Sequence, residues 1–175
     1  MIGGVDALLL LDVDGPLNPW AAKQGSHPPG YVEHRIRLSW WSRRRPLVLW
    51  LNPEHGAQLV ALSERTGLRL AWASTWEHRA NTMIGPFIGL PNLPVIEFAA
   101  HPDQSAWKYP AVQHYAAGRP LAWLDDDFDL YPAARDRFLA DRARDGLATE
   151  LVQVDRHTGI TAEHLSAVEA WCGGL

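Results

Sequence analysis

The stretch "LLLLDVDGPLNPW", residues 8–20, runs four leucines into two aspartates and then breaks into glycine and proline. Consecutive apolar residues without alternation fit a strand covered on both faces. Asp12 and Asp14 follow at its carboxyl end, and Gly15 with Pro16 turns the chain away. In an open parallel α/β sheet, that end of a strand is where ligands bind.

Reading outward, residues 7–11, 69–73, 94–98, 120–124 and 150–154 are short apolar runs that predict strands, most of them without alternation. Helical segments with legible ends lie between them. Asn52 caps one that has Pro53 at its first position and Gly67 just past its end. Pro110 suits the first turn of a second helix stopping near Gly118, and Pro132 opens a third stopping near Gly146. Thr161 caps the last, which ends at Gly173 and Gly174. Strand and helix alternating over short joints predict an α/β fold, a three-layer α/β/α sandwich around a central parallel sheet. One interval interrupts the alternation: residues 18–51 read as an insertion with a hairpin, "YVEHRIRL" and "PLVLWLN" around "SWWSRRR".

At 175 residues, 47% hydrophobic and 21% charged, the chain fits one domain over 1–175, with the flap at about 18–51. A formal charge of −4 gives no global basic field for a polyanion, so nucleic-acid contact requires a local patch. The single cysteine, Cys172, excludes an internal disulfide and a multi-cysteine zinc site. The first apolar run has no basic region before it and falls far below the roughly 20 residues that span a bilayer. The expectation is a cytoplasmic protein with no membrane attachment.

Three strand ends carry the polar chemistry. Asp12 and Asp14 follow the first strand, Ser74 and Thr75 the second core strand, and Asp125, Asp126 and Asp127 close "PLAWL". Carboxylates gathered on one rim repel unless a cation sits among them. A hard, oxygen-only donor set favours Mg²⁺.

The order of these pieces resembles the haloacid dehalogenase (HAD) superfamily of phosphohydrolases. The matching residues are "DVDG" at 12–15, Ser74 in "WAST", Lys108 in "AWKYP" and the acids of "WLDDD". The resemblance spans nearly the whole chain and implies a Rossmann-like HAD fold and a phosphoric monoester hydrolase. It implies Asp12 as the nucleophile that forms an aspartyl-phosphate and Asp14 as general acid, then base. Mg²⁺ would be held by the Asp12 carboxylate, the Asp14 backbone carbonyl and Asp126, with Asp125 as a partner behind Asp126. Ser74 would bind phosphoryl oxygens, with Thr75 the alternative, and Lys108 would neutralise developing charge. Lysine is scarce here, Lys23 and Lys108 being the only two, and its compact ammonium suits a point contact to phosphate. "WLNPEHG", "WEHRAN" and "GRPLAWLDDD" are further similar to a phosphatase-type domain of bacterial RNA-repair proteins. That implies an end-processing phosphatase whose partner is a phosphorylated substrate, a nucleotide or nucleic-acid end among them.

The sequence departs from the HAD pattern in two places. Pro16 stands where members often carry threonine, and it supplies neither hydroxyl nor N–H. The 18–51 segment is too short for a separate cap domain, which predicts an open cleft suited to bulky phosphoesters.

Within the insertion, Arg35, Arg37, Arg43, Arg44 and Arg45 interleave with Trp40 and Trp41. Guanidinium beside indole suits single-stranded nucleic acid, and Arg43, Arg44 and Trp41 are candidate substrate contacts. The competing reading is a solvated turn whose tryptophans pack on the sheet. His55 and His78 each follow a glutamate near a helix start, as candidate substrate contacts or as capping and packing residues. A receiver domain would place its acceptor aspartate after an earlier acidic pair, and halide release would need no second acid at Asp14. A non-catalytic or nucleic-acid-binding module on the same fold remains the alternative to turnover.

Overall fold

The computed structural model describes residues 6–37, 45–98, 106 and 108–175. Its central sheet has four parallel strands, β1 (Leu8–Leu11), β4 (Arg69–Trp72), β5 (Leu121–Asp125) and β6 (Thr149–Gln153), in the order β4-β1-β5-β6. β1 is therefore an interior strand. Its leucines pair with Arg69–Trp72 on one side and with Leu121–Leu124 on the other.

Both faces of β1 are buried, which is why it needs four leucines in a row. Leu9 and Leu11 pack with Leu59 and Leu62 of α1 (Glu54–Thr66) and Val168 of α5 (Ala162–Cys172). Leu8 and Leu10 point the opposite way, into a cluster with Val112 of α3 (Tyr109–Ala116) and Phe138 of α4 (Pro132–Arg144). Sheet and two helical layers form the α/β/α sandwich with a Rossmann-like order.

The expected helices appear with small shifts at their ends. α1 begins at Glu54 rather than Pro53, and the Asn52 Oδ1 accepts the Glu54 N–H at 3.0 Å. α5 is capped by Thr161, which exchanges hydrogen bonds with His164.

Residues 94–98 do not form the expected strand. Val95 makes one isolated parallel bridge to Trp72, through Trp72 N–H to the Pro94 carbonyl and Ile96 N–H to the Trp72 carbonyl. Pro94 has no N–H to extend that ladder. The stretch between β4 and this bridge holds a π-helical turn, Ala80–Ile84, and the short α2 (Gly85–Ile88). Asn81 anchors it: its Oδ1 accepts from Trp72 Nε1 and Leu93 N–H, and its Nδ2 donates to the Leu93 carbonyl. Gly56 lets α2 approach α1, since a Cβ there would lie 2.0 Å from the Ile88 carbonyl oxygen.

The insertion folds as an antiparallel pair, β2 (Val32–Ile36) and β3 (Leu47–Leu51), separate from the main sheet. Leu49 and Leu51 turn into the core, whereas Val32, Leu47 and Val48 stay exposed. The hairpin tip, with Trp40, Trp41, Arg43 and Arg44, lies outside the described residues.

Candidate active site

The β1 strand ends at Leu11, and the chain tightens into a turn. Leu17 and Asn18 N–H groups donate to the Val13 carbonyl, and Gly15 N–H to that of Asn18. Pro16, which has no N–H to give, occupies the position between them and accepts from Ile160 N–H at 2.8 Å. The turn thereby absorbs the proline without losing a hydrogen bond.

Asp12 is nearly buried and bound on both oxygens. Oδ1 accepts from Val13 N–H at 2.7 Å, and Oδ2 pairs with Lys108 Nζ at 2.6 Å. The same Nζ lies 2.5 Å from Asp125 Oδ2, and Asp125 Oδ1 accepts from Asp127 N–H. Lys108 thus bridges the first and third strand ends. Burial works against its charge, but the flanking Asp12 and Asp125 carboxylates prevail and hold it protonated. Burial, with the Asp12 charge adding to it, pushes Asp125 above the usual carboxylate range against the pull of Lys108.

Asp14 is held differently. Asn18 Nδ2 donates to Oδ1 and Trp76 Nε1 to Oδ2, both at 2.8 Å. Burial raises its carboxyl all the same, with those two hydrogen bonds opposing. Asn18 also accepts the Trp50 N–H from β3 at 3.0 Å, so one amide connects Asp14 to the hairpin.

Asp126 is clasped by Gln153 at the end of β6, by Arg156 just beyond it and by Trp20. Gln153 Nε2 and Arg156 Nη2 donate to its carbonyl at 2.7 and 2.8 Å, and its Oδ2 lies 3.3 Å from both Arg156 Nε and Trp20 Nε1. Burial, with the Asp127 and Asp12 charges behind it, pushes the carboxyl up to about 6. Gly15, at φ +85°, passes so close that no side chain fits there.

These groups open onto a cavity of about 400 Å³, lined by Asp12, Asp14, Lys108, Asp126 and Asp127 on the sheet side. Trp20, Trp76 and the exposed β3 residues Leu47 and Val48 also line it. Of the two hydroxyl residues, Thr75 is exposed and lines the cavity. Ser74 is fully buried, its Oγ 3.4 Å from the Trp76 N–H that points to it. His55 and His78 do not line it. His55 is buried edge-on against Tyr31, and His78 is exposed and paired with Glu97 at 2.9 Å.

The donor set fits a hard divalent cation. One carboxylate oxygen from each of Asp12, Asp125 and Asp126 falls within 4.8 Å of the others. Five aspartates crowd the rim, whereas the cations paired with them among the described residues are Lys108 and Arg156. That imbalance of buried charge is what a divalent ion relieves.

Asn18, Trp20, Trp76 and Arg156 belong to this site although sequence reasoning assigns none of them a role there, Trp76 standing at the head of "WEHRAN". Trp20 and Asn18 lie within the opening stretch, whereas Trp76 and Arg156 reach the acids from 62 and 30 residues away in sequence.

A model of the family described as "HAD domain in Swiss Army Knife RNA repair proteins" matches residues 8–165, from β1 into α5. The chain belongs to that family. No curated protein matches it. As a HAD domain it carries its acids at the carboxyl ends of β1 and β5, where an open parallel sheet binds ligands.

Proposed function

We propose that this HAD domain is a Mg²⁺-dependent phosphomonoester hydrolase working through an aspartyl-phosphate on Asp12, with phosphorylated nucleotide or RNA ends as substrates. The observation that carries the reading is Asp12 itself: a carboxylate held by Val13 N–H and Lys108 Nζ, beside Asp126, facing a cavity. A carboxylate fixed on both oxygens approaches phosphorus in one orientation, which supplies the positioning that phosphoryl transfer needs.

In the first step an Asp12 oxygen bonds to phosphorus as the ester P–O bond breaks, and Asp14 gives the leaving oxygen its proton. Asp14 is oriented for that role by Asn18 and Trp76 on its two oxygens, and burial shifts its carboxyl upward, the direction a general acid needs. Asp14 then takes a proton from water, whose oxygen attacks phosphorus and releases phosphate with Asp12 restored. Mg²⁺, held by Asp12, Asp126 and the Asp14 carbonyl, would shield the anionic nucleophile from the anionic phosphoryl group. Lys108 neutralises charge between Asp12 and phosphate, and Asp125 fixes Lys108. Thr75, at the cavity wall, is the hydroxyl we assign to a phosphoryl oxygen, with Ser74 behind it.

The insertion at about 18–51 serves as a minimal cap on one domain, with β3 residues Leu47, Val48 and Leu49 at the cavity. A site covered on one side accepts the end of a polymer, which accords with the family's description.

Phosphate release tests this, with and without Mg²⁺, by wild type and Asp12→Asn, on nucleotides, sugar phosphates and oligonucleotides phosphorylated at either end. Mg²⁺-dependent release from the wild type alone, highest on oligonucleotide or nucleotide ends, is the expected result. Equal release by Asp12→Asn rejects the nucleophile. Silence across the panel by folded wild type favours a binding module.

A further inference from the structure

A second cavity, of about 360 Å³, lies against the first, with Asn18, Trp20 and Val48 lining both. Its remaining lining includes Gln24, His27, Glu33, Arg35 and Trp50. The two cavities meet at those three side chains, and each lies in the range of roughly 300–1,000 Å³ usual for small-molecule sites.

The aromatic residues here are fixed before any ligand arrives. Trp50 and His27 stack at 3.9 Å between ring centroids and 14° between planes. Trp20 is 54% exposed, yet its Nε1 is held at Asp126 and the Arg156 guanidinium carbon stands 5.6 Å from its ring centroid. An indole pinned at its edge and left open to solvent keeps an aromatic surface available at little entropic cost on binding. Around it stand groups that read a polar edge: the Gln24 amide, and Glu33 and Arg35, paired at 2.7 Å on β2.

We propose that this second cavity is a nucleobase subsite. The ligand it fits is a flat heterocycle with donors and acceptors on its rim, linked to a phosphoryl group at Asp12 and crossing Trp20 on the way. This rests on the phosphoryl site proposed above and specifies the substrate class: the base next to the phosphate contributes to binding. Among the described residues, the subsite's lining comes from two stretches, 18–35 and 48–50.

Calorimetric binding in Mg²⁺ to the Asp12→Asn protein tests the subsite without turnover, with adenosine 5′- and 3′-monophosphates against ribose 5-phosphate. At least one nucleotide is expected to bind ~10-fold tighter than the sugar phosphate, the ratio falling below ~2-fold when Trp20→Ala or Trp50→Leu is added. Trp20→Phe, which keeps a stacking face, retains the ratio and guards against loss by misfolding. Equal binding of nucleotide and sugar phosphate, no binding of either, or a ratio that survives both truncations overturns the subsite. Phosphate release from ribose 5-phosphate by the Asp12 protein reads the chemistry separately. Release without base preference rejects the subsite alone, and base-dependent binding without release rejects hydrolysis alone.

Discussion

Gly15 and Asp126 touch across the site: a Cβ at position 15 would stand 2.3 Å from the Asp126 Cγ. Gly15→Ala therefore incurs two separate penalties. Its φ of +85° costs an L side chain about 1–2 kcal/mol, and the methyl must push Asp126 aside. Gly118, at φ +83° with nothing within 4 Å, carries only the first. Both alanine variants are expected to melt earlier, but Gly15→Ala alone should lose Mg²⁺ affinity, by ~10-fold or more for a displaced ligand. Calorimetric Mg²⁺ titration beside thermal melts separates the two. Unchanged affinity in Gly15→Ala would remove Asp126 from the ligand set.

Lys108 is buried between two buried carboxylates, so Lys108→Met leaves both without their shared cation. Removing one partner from a buried ion pair costs about 3–5 kcal/mol. Urea unfolding with chelator should show a loss of that order, and added Mg²⁺ should return part of it by binding the folded state. A loss that Mg²⁺ leaves untouched would argue that Asp12 does not face the ion.

Trp76 Nε1 donates to the Asp14 oxygen opposite the one bound by Asn18. Without it the acid loses its orientation. Trp76→Phe is expected to lower kcat ~10-fold on alkyl phosphates, whose leaving oxygen needs a proton, and far less on p-nitrophenyl phosphate. Equal losses on the two substrates would deny Asp14 the role of proton donor.

His55 gives the fold a pH dependence. Burial holds its imidazole down at about 4, against 6.5 for a free histidine. Between those values the unfolded chain takes up a proton and the folded chain does not, so stability falls as pH drops from 6.5 toward 4 and is fully present above 6.5. The span amounts to about 3 kcal/mol. His55→Leu should flatten the acid side of a plot of unfolding free energy against pH, and an unchanged slope would place the protonation elsewhere.

Much of this architecture is legible along the chain because it is local. The leucine run of β1 requires two covered faces, Thr161 requires a helix after it, and "DVDG" after an apolar strand marks a ligand rim. What escaped the sequence depends on distant approach. Residues 94–98 are apolar enough for a strand, but Pro94 has no N–H and the pairing stops after one bridge. The π-helical turn at Ala80–Ile84 is held by Asn81 and a tryptophan nine residues away, which no periodicity encodes. Trp20 and Arg156 read locally as one surface aromatic and one surface cation. Only the fold brings both onto Asp126. The choice between Ser74 and Thr75 likewise turns on which side of the strand end faces the cavity.

The Asn18 side chain has one end on Asp14 and the other on the β3 backbone at Trp50. The two bonds couple the hairpin to the acid. If Asp14 is the proton donor, a phosphoester that wedged the hairpin outward would draw the amide away from it, and an ill-fitting occupant would disarm the donor by the act of entering. An end that slides beneath the hairpin without lifting it leaves the amide seated. Fidelity at such a site would be a matter of clearance, measured by whether the visitor disturbs its own catalyst.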